Sequence, residues 1–255
     1  MLLPDHERFE LDNLEAWQLR RDLMQLQPED RTAYFHKKQL QGELPLLQTG
    51  QMAFKKVADD LDDLLEPISE IIKGKHKQFL CPEYCINQFK LKADIEVYDD
   101  YYVHLNGSSA WQSKILGAFL DYLLLRSAGY DLHFLYADKK SKVVQLPVTA
   151  MSQAKARDLL NLYWSIFEQN QTQPYMLLWA YFKLLYKKQS DDASKLIKSI
   201  ESNVLSPDTF TDVYFQKIWD MNWLTTDNIH SIVDQMALVF EPVNLTLNLL
   251  TNDDN

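Results

Sequence analysis

From residue 88 to residue 97 the chain alternates without a break. Phe89, Leu91, Ala93, Ile95 and Val97 fall on one side, and Gln88, Lys90, Lys92, Asp94 and Glu96 on the other. Successive side chains of an extended strand point to opposite faces, so a period of two predicts one strand with a buried face and a polar face. A helix surface would place apolar residues every three or four positions instead. Asp99-Asp100 supplies a turn, residues 101–105 return as a second strand, and Asn106-Gly107-Ser108-Ser109 breaks it. A sheet must cover its apolar face, and the next segment is a broadly apolar helix through Ile115, Leu116, Phe119, Leu120, Leu123 and Leu124, stopped by Gly129. Residues 132–136 and 143–146 read as a hairpin around Asp138-Lys139-Lys140.

The flanks carry helical patterns. Asp12-Asn13-Leu14-Glu15 predicts a capping box, in which Asp12 accepts from backbone amides and Glu15 reaches back. Leu14, Trp17, Leu23 and Leu26 then mark the apolar side of a first helix. Pro28 opens a second helix at its first turn, and Gly42 is its stop. A third runs from about Gly50, with Phe54, Val57, Leu61, Leu64, Ile68 and Ile71 at helical spacing and a kink or restart expected at Pro67. After Pro147, Leu159, Leu160, Tyr163, Ile166 and Phe167 line one helical face, and further helices are expected at 175–188, 191–203, 208–220 and 226–240. The order predicts an α/β fold, a small mixed sheet flanked by helices. This layout resembles the restriction-endonuclease-like core of PD-(D/E)xK nucleases, with additional helices. A single nuclease-like domain over 1–255 is expected: N-terminal helices at 1–48, the core at 49–168 and a C-terminal helical extension at 169–255.

Thirty-six acidic residues against 26 Lys and Arg give a formal net charge of −10. A protein that grips phosphates by itself shows a basic patch or stripe, so tight DNA binding is not expected of this chain alone. Two short basic regions remain, Lys73-Gly74-Lys75-His76-Lys77 and the set Lys183, Lys187, Lys188, Lys195 and Lys198. Solvated helix ends explain them, and contact with duplex phosphates is the functional reading, with Lys73, Lys75 and Lys77 as the candidates. Trp164, Trp179, Trp219 and Trp223, with Tyr163, Tyr181 and Tyr186, are of the type that stacks on bases. At helical spacing such residues belong more often to a core or a subunit interface. Cys81 and Cys85 with His76 nearby do not have the spacing of a zinc finger, and two buried or idle thiols are expected. The first ten residues include Asp5, Glu7 and Glu10 in place of a basic start and apolar core, and no apolar run spans a bilayer, so a cytoplasmic protein without membrane contact is expected. Neither a glycine-rich phosphate loop nor a nucleophile motif is present.

Several segments, in order, resemble the C-terminal domain of RecC, the gamma subunit of bacterial exodeoxyribonuclease V. They are Arg8-Phe9-Glu10-Leu11-Asp12-Asn13-Leu14 with Trp17-Gln18-Leu19, then Gly42-Glu43-Leu44-Pro45 with Gly50 and Phe54, and Leu120-Asp121-Tyr122-Leu123. Val213-Tyr214-Phe215-Gln216-Lys217-Ile218-Trp219 and Phe240-Glu241-Pro242 complete the set. The helicase-like domains that precede this region in such subunits are not in the sequence, so an isolated C-terminal domain is expected.

The resemblance also allows the nuclease chemistry to be tested residue by residue. The active relative, the nuclease domain of RecB, holds a divalent metal with a helix His, a strand Asp and a second Asp followed by Lys. Carboxylate oxygens suit a hard cation, which polarises the phosphate and activates water. Here Glu96 aligns with the first Asp, and Asp94 shares its strand face. Leu105 aligns with the second Asp, Gly107 with the Lys, and Lys55 with the His. One carboxylate survives, which cannot assemble the site. Solvation, or pairing with Lys90 and Lys92, is the plain role for Asp94 and Glu96. Lys114, at the start of the next helix, would be a migrated lysine.

The resemblance therefore implies a non-catalytic nuclease-like domain with no metal or cofactor of its own. It would act in subunit assembly and in DNA guidance or strand splitting during double-strand break repair by recombination. Its partners would be the RecB-like and RecD-like helicase-nuclease subunits, with duplex DNA, in a complex that needs magnesium and ATP. Two alternatives remain at this stage. One is an active metal-dependent nuclease rebuilt around Asp94, Glu96 and Lys114, and the other a purely protein-binding module.

Overall fold

The computed structural model describes residues 10–24, 26, 28–45, 47–106, 111–138, 143–172, 194–195, 197–198 and 225–247. The helices expected at 175–188 and 208–220, and most of that at 191–203, lie outside these residues. So do Lys183, Lys187, Lys188, Trp179, Trp219, Trp223, Tyr181 and Tyr186. The chain divides into two compact units. One comprises Met1–Lys77, Val103–Trp111 and Leu135–Val144, the other Gln78–Tyr102, Gln112–Phe134 and Gln145–Asn255. No helix among the described residues is long and apolar enough to cross a membrane.

Helix α1 spans Asn13–Leu23. Its capping box forms as the sequence predicts, with the Glu15 amide donating to Asp12 and the Asp12 amide to Glu15 at 2.8 and 3.0 Å. Its buried face differs from the expectation. Leu19, Arg20 and Leu23 are buried, whereas Leu14 is 61% exposed and Trp17 lies under the Arg21 guanidinium at the surface. The reason is the partner helix, α3 (Leu47–Ile72), on which α1 packs. Phe54, Val57, Leu61, Leu64 and Ile68 form the buried stripe of α3 at alternating spacings of three and four, and Arg20 reaches Asp60 across the contact. Between them a 3-10 turn at Pro28–Asp30 leads into α2 (Arg31–Leu40). Helix α3 starts three residues before Gly50 and runs through position 67 as one element, without the restart expected there.

Five strands form a mixed sheet in the order β1 (Lys77–Leu80), β4 (Ile95–Tyr98), β5 (Tyr101–Asn106), β6 (His133–Asp138), β7 (Val143–Leu146). A second sheet is the hairpin of β2 (Glu83–Ile86) and β3 (Phe89–Lys92). The single strand expected over 88–97 is thus two strands in two different sheets, split at Ala93-Asp94. Ile95 and Val97 are buried as the alternation predicts, but Phe89 is 43% exposed. The hairpin turns on Asn87-Gln88, with Asn87 at φ 54, a left-handed conformation that Asn tolerates better than most residues. β4 and β5 pair antiparallel through Tyr98 and Tyr101 around Asp99-Asp100, as expected.

Helix α4 (Trp111–Ser127) buries Ile115, Ala118, Phe119, Tyr122, Leu123, Leu124 and Leu125, which is nearly its whole circumference. Each large side chain so buried contributes roughly 1.5–3 kcal/mol. Its end is a Schellman cap. Gly129 takes φ 96, its amide donates to Arg126 O, and the Tyr130 amide donates to Leu125 O. A 3-10 turn at Val148–Ala150 precedes α5 (Gln153–Asn170), capped by Ser152. The helix expected at 226–240 is α6, Ile229–Leu247, which continues through Pro242.

Candidate functional site

The acid-bearing stretch lies in the second unit. Asp94 is in the connector before β4, outside the strand, so it does not share a strand face with Glu96. It accepts from the Cys81 thiol at 2.7 Å. That bond pushes the thiol above its usual pKa, which makes Cys81 a poorer nucleophile. Cys81 and Cys85 are free and exposed, not buried. Glu96, half-buried in β4, accepts from the Tyr98 hydroxyl at 2.9 Å. Burial, then the Glu96 bond, pushes the Tyr98 phenol up to about 12. Lys90 and Lys92 close on Glu83, at 2.5 and 3.6 Å, rather than on Asp94 or Glu96. The Lys90 ammonium holds the Glu83 carboxyl below its ordinary range.

The remaining positions are spread more widely. Lys55 is exposed on α3 and Leu105 half-buried in β5, both in the first unit. Gly107 and the Lys114 side chain lie outside the described residues. Lys73 pairs with Glu70 one helical turn back, Lys75 follows the end of α3, and Lys77 opens β1. Among the described residues, no three His, Cys, Asp or Glu side chains gather closely enough to hold a metal ion.

The second unit also forms a groove that the sequence pattern did not reveal. Leu91 and Lys92 of β3, Leu120, Asp121 and Leu124 of α4, and Leu160, Tyr163, Trp164 and Phe167 of α5 line a cavity of about 320 Å³. The spacing explains the walls. Residues 120 and 124 are one turn apart on α4, and 160, 163, 164 and 167 form one stripe of α5. The hairpin supplies the third wall because Tyr84 anchors it to α5. Its hydroxyl is 3.4 Å from Asn161 Oδ1, and the Arg157 guanidinium lies over its ring. At the rim three rings stand in a row, with Phe89 and Trp164 centroids 4.9 Å apart and Trp164 and Phe167 5.3 Å apart. Phe167 is 53% exposed. The Trp164 Nε1 is buried and has no acceptor among the described residues, a costly state for an N–H. The sequence expectation of a core or interface role fits Trp164, which is half-buried in this wall.

Two tyrosine hydroxyls brace residues of the groove lining. The Tyr163 hydroxyl donates to Val239 O of α6 at 2.9 Å, and burial raises its pKa. The Tyr102 hydroxyl donates to Asp121 at 3.1 Å. Burial raises the Asp121 carboxyl above its ordinary value, and the Tyr102 bond partly offsets this. An acid raised in the folded state is a handicap once ionised. The handicap is full well above the folded pKa and vanishes as pH falls below the unfolded value. Asp121→Asn keeps an acceptor for Tyr102 and is expected to be at least as stable as the unmodified chain at pH 7. Urea denaturation at pH 7 and near pH 3 checks the sign, since the gap closes on acidification. A gap that widened would mean that the carboxylate is favoured by its surroundings.

A match to the family model for the RecC C-terminal domain covers residues 2–185. It takes in α1 to α5, every strand among the described residues and all the groove's lining residues, and ends before the segments at 213–219 and 240–242. No curated protein matches the chain.

Proposed function

The chain belongs to the RecC C-terminal domain family, and from this premise we propose that it is a nuclease-like domain kept for assembly and DNA guidance rather than for cleavage. Membership implies a role in the RecBCD complex, exodeoxyribonuclease V, in DNA repair and recombination. In our reading the chain's 255 residues act as one nuclease-like domain against the RecB-like and RecD-like subunits. The ATPase and nuclease chemistry, with its magnesium, belongs to those partners. What supports the non-catalytic reading is Leu105, half-buried in β5, which the family resemblance aligns with the second metal-binding acid. A site of one carboxylate lacks the several fixed oxygens that a hard cation requires. Lys73, Lys75 and Lys77, gathered where α3 ends and β1 begins, offer point charges to duplex phosphates. A chain of net charge −10 suits guiding more than gripping.

The test is incubation of the purified chain with linear DNA and magnesium or manganese, beside an EDTA control and Glu96→Ala. The expected result is no metal-dependent cleavage above that of the variant. Cleavage abolished by Glu96→Ala would establish the alternative, a site rebuilt around Asp94, Glu96 and Lys114.

A further inference from the structure

We propose that the β2–β3 hairpin is a flap that opens from α5 by itself, hinged at Cys81-Pro82 and Ala93-Asp94 and latched across its neck by the Cys81–Asp94 bond. The inference concerns the chain's own motion and stands apart from the assembly role proposed above.

The topology isolates the hairpin. β1 ends at Leu80, β4 begins at Ile95, and the two strands are neighbours in the five-stranded sheet. Residues 81–94 therefore leave that sheet and re-enter it beside the point of departure, while β2 and β3 pair with each other in a sheet of their own. A side-chain bond closes the neck, the Cys81 thiol donating to Asp94 Oδ1 at 2.7 Å. A thiol is a weak donor and this one is exposed, so the latch is light.

Burial points the same way. Of residues 83–92 only Ile86 is buried, whereas β4 buries Ile95 and Val97 between two neighbouring strands. The attachments to α5 lie at the surface. Tyr84 reaches Asn161 at 3.4 Å, the Arg157 guanidinium stands 5.9 Å from the Tyr84 ring, and Phe89, with much of its ring exposed, meets Trp164. A hydrogen bond of that length and a cation–π contact at that distance are weak. The ion pairs of Lys90 and Lys92 with Glu83 are internal to the hairpin and do not tie it to α5.

Segments with little buried apolar surface open at a free energy well below that of global unfolding. A two-stranded hairpin is at best marginally stable alone, so once off α5 it unzips. Opening takes away the β3 wall of the groove, Leu91 and Lys92, and parts Phe89 from the Trp164 ring.

Amide hydrogen exchange of the full chain, resolved by NMR, tests this. The hydrogen-bonded amides of β2 and β3 are expected to exchange about a hundredfold or more faster than those of β4. Cys81→Ala is expected to speed hairpin exchange about threefold, and Phe89→Ala more, with the β4 rates unchanged. Both positions are exposed, which favours folding of the variants, and circular dichroism confirms it. Hairpin amides that exchange at the rate of β4, or variants that speed both strands alike, overturn the flap. Hairpin rates indifferent to Cys81→Ala overturn the latch.

Discussion

Arg126→Met is expected to lower the stability of the chain by about 3–5 kcal/mol, read as a fall in the urea midpoint. The guanidinium sits in the last turn of α4 with its side chain only 6% exposed. Nε and Nη2 both donate to Met151 O, at 2.9 and 2.7 Å, and Nη1 donates to Tyr130 O at 2.8 Å. These bonds tie the end of α4 to the segment that leads into α5. Met151 is fully buried, so its carbonyl has no water to turn to once the donors are gone. Methionine keeps most of the volume, which isolates the loss of hydrogen bonds from the cost of a cavity. The ion pair of Arg126 with Asp131 is a separate matter. Asp131 is 79% exposed, and Asp131→Asn is expected to cost less than about 1 kcal/mol. Equal losses for the two variants would mean that the salt bridge, and not the carbonyl cluster, holds this corner.

Gly50→Ala is expected to destabilise the chain by about 2 kcal/mol, although alanine is the better helix former by about 1 kcal/mol. The glycine lies in the first turn of α3, where the preceding loop folds back over it. A Cβ there would run into the Pro45 carbonyl oxygen, with the Pro45 carbonyl carbon at 3.0 Å and Leu44 Cβ at 3.5 Å. The obstacle is backbone, and Leu44 beside it is buried, so relief requires the loop to move. Gly117 is the control. It lies within α4 with open space around the position of a Cβ, and Gly117→Ala is expected to gain about 1 kcal/mol. Thermal unfolding of the pair checks the contrast. A gain at both positions would show that Pro45 does not lie over Gly50.

The sheet shows how far a local pattern reaches. The alternation from 88 to 97 stays in phase across Ala93-Asp94, so nothing in its period marks the point where one strand becomes two. Pairing marks it. Phe89 to Lys92 fold onto Glu83 to Ile86, while Ile95 to Tyr98 join the five-stranded sheet. The signal for the hairpin was a short alternation in Glu83-Tyr84-Cys85-Ile86 with Asn87 as the turn, too brief to outweigh the longer run beside it. The candidate site divides in the same way. That Leu105, which the family resemblance aligns with a metal-binding acid, carries no carboxylate is read directly from residue identities. That Asp94 meets Cys81, and that Glu83 takes both lysines, is not, because side chains choose partners across strands whose register had first to be known.

By itself the sequence determined what neighbouring residues decide among themselves. The capping box at Asp12 and Glu15, the helical stripe of α3, the β4–β5 turn at Asp99-Asp100 and the glycine stop of α4 all rest on contacts within a few residues. Only the tertiary structure decided which face of α1 is buried, since that depends on where α3 lies. It also decided that the Phe89 ring would meet Trp164, some seventy-five positions away, beside the groove. The physical reason is one of range. Backbone dihedrals, caps and hydrophobic period act along the chain, whereas burial and charge pairing depend on which distant surfaces meet.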